Sequence, residues 1–433
     1  MPVTNMPVSY TETIDYLCHL QYGIVPGLER IISLLSHLSD PHLKFPSVHI
    51  GGTNGKGSTA AMTASILKQA GYKVGLYTSP HLIDFSERIT INDIPISQEG
   101  IMRITERLKR AIEQLSIPIT FFEFTTAMAF CYFAESDIDI AVCEVGMGGR
   151  FDATNVLSPE VTAITQIDFD HEKYLGHALM DIAYEKAGII KAGTPVVTGV
   201  TQPEVIRLFE EVAHAKSAPL IRLGCEIIVA GPSPQEFLYE RNGQKKIIHC
   251  PLLGVHQINN AAIAIGVTEQ LRSFVISENA ILEGVDKVLW PCRLQIIQTR
   301  PLILLDGAHN PSGARALASY LQGIHGNQSG KHWLIVGIMR DKNIKEILSP
   351  LAAWADEVVL TRPNIERAAD VTDISSVLDV SLSQTAIERV PDAIKWVLSR
   401  THLSDILVIT GSLFTVAEAW AHFKGVSLSR IQG

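Results

Sequence analysis

Short apolar runs alternate with segments of helical period along almost the whole chain. Runs near 47–50, 73–78, 138–143, 160–166 and 194–198 have the length and composition of strands. Between them, residues 57–70, 98–115, 123–135, 178–187 and 203–215 space their apolar side chains as helices do. This alternation predicts an α/β fold whose large sheet is mostly parallel and covered by helices on both faces. From 224 to 250 the pattern changes to short strands with turns such as Gly231-Pro232 and Asn242-Gly243, which predicts a small antiparallel appendage before a helix at 257–272. The segment Trp290-Pro291-Cys292-Arg293 then interrupts the helices, and a second alternation runs through strands at 302–305, 333–337, 356–360 and 405–410. A hinge near 290–300 is expected to join a first domain, 1–295, to a smaller, Rossmann-like C-terminal α/β domain, 296–433.

Composition narrows the function. The chain has 433 residues, 46% hydrophobic and 19% charged, which is too apolar for intrinsic disorder. Its formal charge of −9 comes without any long basic run, so nucleic acid is not an expected partner, whereas anionic small molecules need only a few local cations and N–H groups. No apolar stretch reaches the roughly 20 residues that cross a bilayer, and no membrane partner is expected. The six cysteines form no C-x-x-C pair and come no nearer than twelve residues, which predicts neither a zinc knuckle nor a disulfide framework. No Lys or Arg precedes Arg30, so a basic targeting segment is not expected and a cytoplasmic protein is.

The clearest chemistry lies in SVHIGGTNGKGSTAAMTASILKQAG (47–71), where a strand leads through a Gly-rich turn into an Ala-rich helix. Glycines let the backbone approach a polyphosphate, Lys56 supplies a mobile cation, and Ser58 or Thr59 is placed to reach Mg²⁺. The loop departs from the common G-x-x-x-x-G-K-[ST] form because Gly57 separates Lys56 from Ser58. A nucleotide site is predicted, the alternative being an ordinary tight turn.

Glu144 ends an aliphatic strand at its carboxyl edge, where a hard oxygen donor suits Mg²⁺, although such an acid also serves as a cap or a solvated edge. His171 follows ITQIDFD, with Asp168 and Asp170 as alternative carboxylates. His171 and His177 do not make H-E-x-x-H, which argues against a zinc hydrolase. Leu179, Ile182, Ala183, Lys186 and Ile190 share one helical stripe, so the Lys186 amine is expected on the apolar side. Burial favours the neutral amine, which reacts with CO₂ to give a carbamate. The alternative is a lysine that snorkels or pairs with Glu185 or Asp181. Asp306 and His309, in LLDGAHNPSG, follow an apolar strand and open a helix, where groups that face an interdomain cleft are expected.

The loop GTNGKGS (52–58) resembles that of the Mur ligase superfamily and its folylpolyglutamate synthase and dihydrofolate synthase branch. The resemblance continues through GMGGRFDATN (146–155), HEKYLGHALMDIAYEKAGIIK (171–191), HQINNAA (256–262), DGAHNPSG (306–313) and GSLFTVAE (411–418). About fifty residues precede the loop, whereas cell-wall Mur ligases usually carry a whole nucleotide-sugar domain there.

By resemblance, Thr53, Asn54, Gly55, Lys56, Gly57, Ser58, Asn260, Arg293 and Asp306 contact ATP. Ser58, Ser79, Glu144, His171 and a carbamylated Lys186 hold two Mg²⁺ ions, and a potassium ion is implied. Lys56, His171, Lys186 and His309 carry the catalysis. Thr120, Phe121, Phe122, Glu123 and Phe151 line the folate or dihydropteroate pocket, while His309 and Ser412 line that for L-glutamate. For TFFEFTT (120–126) the alternative is core packing, which is expected of Phe124 or Phe130. The hinge departs from the usual pattern, since Cys292 stands where a glycine or alanine often precedes the arginine. The implied reaction is ATP-dependent ligation of L-glutamate to a folate-type carboxylate by a monomer, through an acyl phosphate. The alternatives are a Mur-type ligase with another acceptor, or a P-loop kinase or ATPase.

Overall fold

The computed structural model describes residues 9–20, 25–231, 233, 235–325, 330–379 and 382–428. Pro232, expected in a turn, lies outside them. Strand Ser47–Gly51 sits inside an eight-stranded sheet, parallel to Ile140–Glu144 on one side and to Val161–Ile164 on the other. All three are buried throughout, as strands covered on both faces must be. Ile50 pairs with Glu144, and Gly51 with Ile164, so the three carboxyl ends emerge together at one edge of the sheet. Val74–Tyr77 and Val196–Thr198 extend the parallel core.

The sheet is wider than its apolar pattern suggests. The antiparallel pair Ile89–Ile91 and Ile94–Pro95 extends one side and Leu220–Arg222 the other. These segments are too short and too exposed to show a period of their own.

Helix Phe121–Glu135 is apolar nearly all round because it lies inside a core that includes Ile14, Leu17, Ile31 and Leu34 of helices Tyr10–His19 and Glu29–His37. Phe124 and Phe130 are fully buried in that core. The antiparallel appendage consists of Ile228–Ala230, Glu236–Arg241 and Gln244–His249. At its turn Asn242 and Gly243 both have positive φ, the hairpin geometry that Asn-Gly favours.

A second, six-stranded sheet runs in the order Gln295–Thr299, Leu302–Leu305, Ile406–Thr410, His332–Val336, Glu357–Arg362 and Gln384–Arg389. Its first pair is antiparallel and the rest parallel. Among the described residues, no helix is long and apolar enough to cross a membrane.

Candidate active site

The Gly-rich turn leaves strand Ser47–Gly51 and enters helix Lys56–Gln69. Gly55 caps that helix at φ 85°, and a Cβ there would stand 2.2 Å from Asn260 Oδ1. Only glycine accepts both the left-handed backbone and this approach. Asn260 is thus packed against the loop, held by its own donation to Gln257 Oε1 at 2.9 Å. Lys56 Nζ folds back onto the Thr53 carbonyl at 3.0 Å. Ser58 is buried at the start of the helix.

Glu144 is buried at the strand end and accepts from the Ser79 N–H at 3.1 Å, which brings two of the expected metal ligands together. Burial raises the Glu144 pKa, against the lowering pull of Lys56 and of the Ser79 hydrogen bond. Lys186 is 4% exposed and donates to the Gly52 carbonyl at 2.9 Å, rather than to Asp181 or Glu185. Burial first, then the charge of Lys56, lowers its pKa to about 7. The amine therefore sits under the nucleotide loop, near Asp152 and Asp170, which favour its charged form.

His171 starts the short helix Glu172–Leu175 in the left-handed region, at φ 53°. Burial, assisted by Lys342, His309 and Lys56 and opposed by Asp170, lowers its pKa to about 3, so the imidazole is neutral at pH 7. Among the described residues no three His, Cys, Asp or Glu side chains gather into a metal cage. A buried carboxylate beside a phosphate loop is nonetheless the donor set that Mg²⁺ uses when nucleotide and water fill its remaining positions.

The second domain meets this edge through the start of helix Pro311–His325 and the loop after strand His332–Val336. Asp306 accepts from Leu294 N and Ala308 N, both at 2.9 Å, and Arg293 Nη1 donates to the Cys292 carbonyl at 3.2 Å. A Cβ on Gly307 would stand 2.5 Å from Arg293 Nη1, so the hinge guanidinium lies directly over the Asp-Gly turn. His309 Nε2 comes within 3.6 Å of Asp170. Ser412 caps helix Leu413–Lys424, its hydroxyl accepting from Thr415 N at 3.0 Å, and is 1% exposed.

Between the domains opens a cavity of about 1000 Å³. Thr120, Phe121, Phe122, Glu123 and Phe151 line one side together with Ser79, while Arg340, Lys342 and Arg367 enter from the second domain. Thr120 and Glu123 form a capping box that starts helix Phe121–Glu135, and Glu123 also pairs with Arg30 at 3.0 Å. These two polar groups are therefore engaged structurally at the cavity wall, and Phe122 and Phe151 offer the apolar surface. His309 and Ser412 lie outside the cavity lining.

The hub of the cleft is Asp170, one of the carboxylates that the sequence left open beside His171. It receives Lys342 Nζ at 2.5 Å and Asn310 Nδ2 at 3.1 Å. Burial alone would raise its pKa, but His309, His171 and Lys342 hold it well below the usual carboxylate range. Asn310 and Lys342 are not among the site residues that the sequence marks out. Asn310 sits inside a recognisable motif, but nothing in the apolar pattern marks Lys342, whose partner is 172 residues away.

This arrangement of a Gly-rich loop, a buried carboxylate and a second α/β domain across a cleft defines a two-domain, ATP-dependent ligase. Residues 50–268 match the Mur ligase middle domain, and residues 292–413 the Mur ligase glutamate ligase domain. The dihydrofolate synthase/folylpolyglutamate synthase of Bacillus subtilis is 37% identical over 418 residues, covering 94% of this chain and 96% of the relative. A Mycobacterium tuberculosis folylpolyglutamate synthase complexed with ADP superposes with a TM-score of 0.89 at 32% identity, covering 97% and 100% of the two chains. Escherichia coli FolC in complex with DHPP and ADP gives 0.89 at 29% identity, over 98% and 99%. The chain belongs to the dihydrofolate synthase/folylpolyglutamate synthase family of Mur ligases.

Proposed function

We propose that this protein uses ATP to join L-glutamate to a folate-type carboxylate, extending folates and also converting dihydropteroate to dihydrofolate, and that it works as a cytoplasmic monomer with its domains divided at 295/296. The observation that carries the reading is the convergence of Lys56, Glu144 and Lys186 at one sheet edge, beside an aromatic-walled cavity closed by a second domain.

In this reading the N–H groups at the start of helix Lys56–Gln69 and the Lys56 ammonium receive the ATP phosphates. Asn260, Arg293 and Asp306 hold the nucleotide from both sides of the hinge. The substrate carboxylate oxygen attacks the γ-phosphorus of ATP, the bond to ADP breaks, and an acyl phosphate forms. The glutamate amine, set by His309 and Ser412, then attacks the acyl carbon and phosphate leaves. The amine proton passes to a base in the cleft. Closure of the two domains keeps water from the acyl phosphate.

Ser58, Ser79, Glu144 and His171 would hold Mg²⁺, which supplies charge neutralisation on the transferred phosphoryl group. The neutral Lys186 amine is placed to attack CO₂, which would form an N–C bond with release of one proton, and the carbamate so made would offer an oxygen donor to a second ion. Carbon-13 NMR in labelled bicarbonate tests this step: a carbamate signal lost in Lys186→Ala supports it, and its absence from active enzyme contradicts it. A potassium requirement belongs to the same reading and rests on the resemblance alone.

The function is tested by giving the enzyme ATP and glutamate with either dihydropteroate or folate monoglutamate. Dihydrofolate and a diglutamate are the expected products by mass spectrometry. Extension of folate alone would remove the dihydropteroate activity, and neither product would refute the reading.

A further inference from the structure

Asn54 and Asn310 meet across the two domains. Asn54 belongs to the Gly-rich loop, and Asn310 immediately precedes helix Pro311–His325. Asn310 Nδ2 donates to Asn54 Oδ1 at 2.9 Å, and Asn54 Nδ2 donates back to Asn310 Oδ1 at 3.3 Å. The orientation of the Asn310 amide is fixed independently at both ends. Its oxygen accepts from the Gly313 N–H at 2.8 Å, and its second amide hydrogen goes to Asp170 Oδ2 at 3.1 Å. All four hydrogen-bonding positions of this amide are thereby used, in a side chain that is 1% exposed.

The loop is strapped to the same neighbourhood by its backbone. The Asn54 carbonyl accepts from Thr165 Oγ1 at 2.6 Å, and Thr53 N donates to the Gln166 carbonyl at 2.7 Å. That strap leads directly to Asp170, which Lys342 of the second domain grips from the far side. Arg315 reaches Asp168 at 3.5 Å. The second domain thus holds both the loop and its strap, and Asn310 touches both.

We propose that Asn310 is a positioning residue that sets the nucleotide loop through Asn54 and so couples nucleotide binding in the first domain to docking of the second. The inference rests on reading 52–58 as the nucleotide loop. A Gly-rich loop is conformationally permissive, and fixing it in its binding shape before the ligand arrives strengthens binding. Linkage then requires that a nucleotide selecting this shape favour domain docking by the same factor. An amide pair suits the task because an undocked partner exchanges its hydrogen bonds with water at little cost.

The test is calorimetric titration of ADP into the full chain and into Asn310→Asp, Asn54→Ala and the double variant, with amide hydrogen exchange read at Gly313 and Ala314. Asn310→Asp keeps the oxygen that caps Gly313 and removes both N–H donors. Each single substitution is expected to weaken ADP about tenfold, with the double no weaker than the weaker single. ADP should slow exchange at Gly313 and Ala314 in the wild type and in neither single variant. Additive losses, or wild-type affinity in Asn310→Asp, would overturn the inference. Should Asn310→Asp fail to fold, Asn54→Ala decides alone, since retained ADP protection at Gly313 refutes the coupling. Failure of the wild-type chain to bind ADP would overturn the nucleotide reading as well, whereas intact ADP binding with additive losses overturns only the coupling.

Discussion

The indole of Trp290 lies against Gly57, so close that a Cβ on this glycine would stand 2.9 Å from Trp290 Cζ2. The glycine that separates Lys56 from Ser58 is therefore a packing requirement: the hinge segment seats its tryptophan on the first turn of the loop helix. A methyl group here must displace a ring that packs against the core of the first domain. Gly57→Ala is expected to cost about 1–3 kcal/mol of stability. Trp290→Leu in the same chain should recover part of that loss, as thermal unfolding of the single and double variants would reveal.

Lys56 makes its visible hydrogen bond to a loop carbonyl and contributes little to the core. Lys56→Ala should leave the unfolding midpoint within a few degrees of wild type and lower turnover by about 10²–10³-fold. Near-normal turnover in the folded variant would remove the phosphate role from this loop.

How much of this was legible in the sequence depended on how local each feature is. The Gly-rich loop, Glu144 and Lys186 announce themselves within a few residues, because strand, turn and helix follow directly and a lysine on an apolar stripe is conspicuous. Asn310 and Lys342 acquire meaning only when the sheets are folded and docked, since both find Asp170 across more than a hundred residues. The three-residue strands Ile89–Ile91 and Leu220–Arg222 were hidden for another reason: three residues cannot display a period of two. Thr120 and Glu123 read as pocket residues, yet the S/T-x-x-E spacing that makes them a capping box was present in the same four letters.

His49 is fully buried on the central strand, with Nε2 at 2.7 Å from Thr154 Oγ1. Burial, with a smaller push from Lys191, lowers its pKa from 6.5 to about 3. The unfolded chain therefore takes up this proton through pH 6.5 while the folded chain refuses it until about pH 3. The associated stability is complete above pH 6.5 and is lost as pH falls towards 3. Between pH 7 and 4.5, wild type should lose about 2–3 kcal/mol more unfolding free energy than His49→Gln. Parallel pH profiles in urea titrations would contradict this.

Cys292 occupies the left-handed region at φ 59° and is fully buried. The side chain packs, but the backbone is one that glycine adopts more readily. Cys292→Gly should accordingly be about 1 kcal/mol more stable than Cys292→Ala, since both lose the thiol and only glycine relieves the backbone. Equal stabilities by chemical denaturation would place the strain elsewhere.

The central claim is that phosphoryl transfer at the Gly-rich loop serves amide ligation across the cleft. It is tested most directly by following ADP release with the acceptor carboxylate and glutamate supplied separately and together. Sustained, stoichiometric ADP release is expected only when ATP, a folate or dihydropteroate, and glutamate are all present, with one amide bond formed per ADP. Sustained turnover of ATP without either acceptor, or with an acceptor but no glutamate, would contradict the ligase account and leave a nucleotide-hydrolysing or kinase reading in its place.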